Sequence, residues 1–82
     1  MKKCKREVVN SKGLKFSFHF RPFSQTLEIS CKNAPGLGFI SAVENVTKSL
    51  NLDVEEYGLM GIIYKCSSYK HFELVTDVVA AT

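Results

Sequence analysis

Residues 14–21, Leu-Lys-Phe-Ser-Phe-His-Phe-Arg, alternate apolar and polar without a break. A side-chain period of two is that of a strand with one face buried. Pro22-Phe23-Ser24 interrupts the run, and a second alternation follows over residues 27–32, Leu-Glu-Ile-Ser-Cys-Lys. Two such runs around a short Pro-containing turn predict an antiparallel hairpin over 14–32. Its apolar face carries Leu14, Phe16, Phe18, Phe20, Leu27, Ile29 and Cys31. Its polar face carries Lys15, Ser17, His19, Arg21, Glu28, Ser30 and Lys32.

The rest of the chain is read against this hairpin. Residues 5–10 are a short strand or a loose basic arm, and Asn10-Ser11-Lys12-Gly13 is a turn into the strong strand. After the loop Asn33-Ala34-Pro35-Gly36-Leu37-Gly38 a helical period sets in. Phe39, Ala42, Val43, Val46 and Leu50 share one face, with Ser41, Glu44 and Lys48 opposite. Glu44 and Lys48 form an i,i+4 pair in the favourable order. Ser41 with Glu44 fits a capping box, Pro35 offers an earlier start, and Asn51 is the expected end. Residues 53–57 read as an acidic connector. Residues 59–64, Leu-Met-Gly-Ile-Ile-Tyr, are apolar on both parities, the mark of an interior strand covered on two sides. Ser67 or Ser68 caps a final helix with Phe72, Leu74, Val75, Val78 and Val79 on one arc. Lys70, Glu73, Asp77 and Ala80 fill the other.

The predicted order is (β)ββαβα: an α+β two-layer sandwich in which two helices cover one face of a mixed sheet of three or four strands. The connection from the third strand to the fourth is expected to be a right-handed crossover. With both helices on one side, half of the two-sided apolar strand is left bare. A second copy of the chain is its expected cover, through Met60, Ile62, Ile63 and Tyr64.

At 82 residues the chain is expected to be one domain, residues 1–82, with residues 1–6 available as a flexible arm. A hydrophobic fraction of 45% with 23% charged residues suits a globular domain. The three cysteines, Cys4, Cys31 and Cys66, are an odd set without close spacing, which favours reduced thiols and a cytoplasmic setting over a disulfide scaffold. No apolar region follows Met1-Lys2-Lys3, and no stretch approaches the ~20 residues of a membrane helix, so neither export by a signal peptide nor a membrane partner is expected. The net charge of +3 conceals an asymmetry. Residues 1–32 hold eight basic residues (Lys2, Lys3, Lys5, Arg6, Lys12, Lys15, Arg21, Lys32) against Glu7 and Glu28. Residues 33–82 hold Lys48, Lys65 and Lys70 against Glu44, Asp53, Glu55, Glu56, Glu73 and Asp77.

Candidate chemistry is sparse. The glycine loop 35–38 ahead of a helix can aim N–H groups at a phosphate, but it lacks the third glycine of a dinucleotide fingerprint and the Lys-Ser/Thr of a P-loop. A tight turn explains it equally. The cysteines with His19 and His71 match no zinc spacing, and parity puts His19 and Cys31 on opposite faces of the hairpin. Cys66 and His71, five apart across a turn, define no nucleophile–base geometry. Neighbouring Glu55 and Glu56 point apart. No catalytic residue, metal or cofactor is therefore expected. The remaining candidate is a basic strip of Lys15, His19, Arg21 and Lys32, with Lys2, Lys3, Lys5 and Arg6 beside it. Stacking aromatics are missing from that face, since every Phe of the hairpin strands has the other parity and only Phe23 and Tyr64 remain to reach outward. The leading expectation is a non-enzymatic binding or regulatory protein, homodimeric, that docks on a protein partner. A nucleic-acid-binding protein using the basic strip comes second, and a small ligand- or phosphate-binding domain using the 35–38 loop third.

Overall fold

A computed structural model describes residues 3–34, 38–58 and 61–82. They form β1 (Lys5–Val9), β2 (Lys15–Arg21), β3 (Thr26–Cys31), α1 (Gly38–Thr47), β4 (Val54–Tyr57), β5 (Ile62–Lys65) and α2 (Tyr69–Ala81). The strands make one sheet in the order β1-β2-β3-β5-β4, and every neighbouring pair is antiparallel. Both helices lie on one face, α1 over β3 and α2 over β1 and β2. The architecture is the expected α+β sandwich.

The hairpin forms as its alternation dictates. Phe16 stands opposite Cys31, Phe18 opposite Ile29 and Phe20 opposite Leu27, and all six are buried beneath the helices. Cross-strand apolar pairs on one face are what fixes such a register, since a slip of one residue would turn every Phe outward. Helix α2 contributes Phe72, Val75 and Val79, and α1 contributes Val43. The rings of Phe20 and Phe72 stack with centroids 5.6 Å apart. Ser68 caps α2 by accepting from the His71 N–H at 3.1 Å, one of the two expected caps.

Two turns are held by side chains. The Asn10 carboxamide accepts from the N–H groups of Lys12 and Leu14, both at 3.0 Å, while Gly13 takes the left-handed φ of +80° that closes the turn. Asn33 reaches across from the end of β3, accepting from Lys15 N at 2.9 Å and donating to Gly13 O at 2.9 Å. β1 therefore enters the sheet with Lys5 and Arg6 paired to His19 and Phe18, the strand alternative rather than the arm.

Three details differ from expectation. The acidic connector is strand β4, so the described residues give five strands where three or four were predicted. β4 escaped a period-two reading because a register shift between Val54 and Glu56 places Glu55 and Glu56 side by side, and a bulge breaks alternation. The sheet is also antiparallel throughout rather than mixed. β5 is the inserted strand: it hydrogen-bonds to both β3 and β4, so β3 and β4 run in the same direction across α1 without touching. Finally, Leu74 was assigned to the buried arc of α2 but is 59% exposed, the buried set being Phe72, Val75, Thr76 and Val79.

Candidate functional site

The sheet leaves one face uncovered by helices. Register places Lys5, Glu7 and Val9 of β1, the polar residues of β2 and β3, and Ile63 and Lys65 of β5 on this side. Glu7, Ser17 and Ser30 form one cross-strand row at its centre, and Gly61 packs against Ser30 at the end of that row.

The candidate basic strip lands here only in part, and much of it is internally neutralised. Arg21 Nη2 donates to Glu28 at 3.3 Å, and Lys32 Nζ pairs with Glu7 two strands away. That contact with Lys32 holds the Glu7 carboxyl below its ordinary pKa of 4.5. His19 is half-buried between Lys5 and Glu28, and burial, then Arg21 and Lys5, pushes its pKa below 6.5. Arg6 faces the other way, donating to the Thr76 hydroxyl and to Asp77 at 3.1 Å on α2. Lys3, Lys5 and Lys15 remain exposed and form no ion pair among the described residues. Lys2 and the loop residues Pro35, Gly36 and Leu37 lie outside the described residues.

Of the four residues expected at a dimer interface, Ile62 and Tyr64 point beneath the helices and are buried. Ile63 is half-buried on the uncovered face, and Met60 lies outside the described residues. Phe23 stands fully exposed at the β2–β3 turn, an isolated apolar side chain that needs no partner to explain it. Cys31 and Cys66 are buried thiols, and burial raises the pKa of Cys66. Among the described residues no three His, Cys, Asp or Glu side chains converge on a common point, and no helix is long and apolar enough to cross a membrane.

The feature that sequence reasoning missed is the margin of the sheet at β4. All four residues of this strand are exposed, and β5 is its one neighbour among the described strands. Between β4 and α1 runs a cleft of about 480 Å³. Leu52, Val54 and Tyr57 supply apolar surface, Glu44, Asn45 and Lys48 come from the α1 side, and Thr47 and Tyr64 form the floor. The floor is rigid: Thr47 donates to Val43 O at 2.8 Å, which leaves Tyr64 to donate its hydroxyl to Thr47 Oγ1, also at 2.8 Å. The wall is exposed, with Val54 at 43% and Tyr57 at 59%. The charge of Glu44, then burial and a hydrogen bond to the same Glu44, raise the Tyr57 phenol pKa above 10.0. The one signal of this site in the sequence was Val54 and Tyr57 at the ends of an otherwise acidic segment.

Comparison with protein-family models, curated proteins and solved structures finds no match to this chain.

Proposed function

We propose that the chain is a non-enzymatic binding module that docks on a protein partner by taking an extended segment of it along β4. The observation that carries this is a strand edge, unpaired among the described residues, running beside a cleft whose wall exposes Val54 and Tyr57. An edge strand offers a row of unpaired N–H and C=O groups, and strand addition draws affinity from the main chain. Every second side chain of the added strand then falls toward the cleft, which supplies specificity. A cleft of about 480 Å³ has room for one or two side chains of such a segment.

The test is selection of phage displaying random octapeptides against the folded protein. Recovered peptides are expected to lose binding to Tyr57→Ser and Val54→Asp, substitutions at exposed positions, while Ser17→Gln on the uncovered sheet face leaves binding unchanged. Recovery of no peptide, or loss of binding by Ser17→Gln alone, would overturn the proposal.

The nucleic-acid reading keeps Lys3, Lys5 and Lys15 as cations without an ion pair. It has less support, because Glu7 and Glu28 interrupt the positive field of that face and phosphate tracking depends on net charge. Titration with single- and double-stranded oligonucleotides at low salt tests it, and the expected result is no measurable binding.

A further inference from the structure

We infer that the segment received at β4 is basic, and that the cleft takes a Lys or Arg side chain of the partner beside the Glu44–Tyr57 pair. This rests on the strand-addition reading and adds the chemistry of the partner to it.

Glu7, Glu28, Glu55 and Asp77 each have a cation of the chain at ion-pair distance. Among the described residues Glu44, Asp53, Glu56 and Glu73 have none. Three of these four border β4: Asp53 precedes it, Glu56 lies in it, and Glu44 overhangs the cleft from α1. Lys65, the nearest strand cation, is held by Glu55 at 3.5 Å. Lys48 also borders the cleft, four residues from Glu44, but makes no ion pair with it. The margin is therefore acidic and lacks cations enough to neutralise it.

The lining suits a long basic side chain better than a small apolar one. Leu52, Val54 and Tyr57 offer apolar surface to a methylene stem, and the Glu44 carboxylate, which also meets the Tyr57 hydroxyl, offers a negative charge. On the other side of the added strand, the neighbour of Glu56 meets a second unpaired acid, and opposite charges across a strand pair are stabilising. The same charges limit what else can dock. Two β4 edges meeting antiparallel would set Glu55 and Glu56 against one another, and an acidic segment would meet the same repulsion. The bulge and the short length of β4 further reduce pairing with strands that bring no complementary charge.

The experiment uses a peptide recovered by the selection above and synthetic versions in which each Lys or Arg is replaced by norleucine, or by Glu. Fluorescence anisotropy reads affinity for the whole protein and for Glu44→Gln, an exposed helix position, at two salt concentrations. The expected result is binding that weakens about tenfold with norleucine at one alternate position, and further with Glu. Glu44→Gln should weaken the parent peptide by a similar factor and leave the norleucine version unchanged, with binding that falls as salt rises. Norleucine binding as tightly as the basic parent would overturn the cation site while leaving strand addition standing. Loss of β4-dependent binding altogether would overturn both. A light-scattering molar mass that rises with protein concentration, without peptide, and is returned to one chain by Tyr57→Ser would give the site to a second copy and contradict a foreign partner.

Discussion

Gly61 shows how narrowly single positions are set. A Cβ placed there would stand 2.6 Å from the Ile29 carbonyl oxygen and 3.2 Å from Ser30 Cβ, and backbone cannot move aside as a side-chain tip can. Gly61→Ala is expected to cost about 1–3 kcal/mol in denaturant unfolding. Gly13 has open space around it but needs φ of +80°, which Asn tolerates, so Gly13→Asn should unfold close to the native midpoint. His19 sets a pH dependence whose sign follows from its lowered pKa. Below pH 6.5 the unfolded chain binds a proton at this histidine that the folded chain resists, so stability falls as pH drops through the unfolded value toward the folded one. The window lies above that of Glu7, whose contribution is present above 4.5 and lost as pH falls through its lowered folded value. Unfolding midpoints between about pH 7 and pH 5.5 should therefore decline in the native protein and decline less in His19→Gln. Equal slopes would place His19 in solvent.

Among the elements, α2 separates what periodicity can and cannot reveal. The arc containing Phe72, Val75 and Val79 was correct, but Leu74 sits at its margin, and a wheel cannot say where the buried sector stops without knowing what lies beneath it. Phe72→Ala should cost about 3–5 kcal/mol, since its ring is buried and stacked on Phe20. Leu74→Ser should change stability by no more than about 0.5 kcal/mol. Comparable losses for the two would return Leu74 to the core. The β2–β3 hairpin was fully legible because it is regular and one face is polar throughout. β4 was not, because its bulge sets two acids in succession and its exposure leaves no apolar face to count. The antiparallel insertion of β5 was equally hidden, since an interior strand reads alike in either direction and its neighbours are set by the route of the chain. The candidate site, lying where β4 meets α1, inherited both difficulties.

On the scale of the whole molecule, the charge asymmetry becomes a polarity from one edge of the sheet to the other. Lys3, Lys5 and Lys15 without ion pairs lie toward β1, and Glu44, Asp53 and Glu56 without ion pairs lie toward β4. Of the described residues expected to recruit a second copy, Ile62 and Tyr64 face the helices, which leaves Ile63 half-buried at the uncovered face. A stable dimer buries roughly 800 Å² on each partner, far more than one half-buried side chain provides. Sedimentation at micromolar concentration is therefore expected to give the mass of one chain, unchanged by Ile63→Asp. A mass of two chains, returned to one by that substitution, would restore the self-association reading. If a strand of another protein completes β4, amide hydrogen exchange with a saturating selected peptide should show new protection at outward-facing amides of Val54–Tyr57, with β1 and the uncovered face of β2 and β3 unchanged. Protection gained at β1 or across β2 and β3, with none at β4, would contradict it.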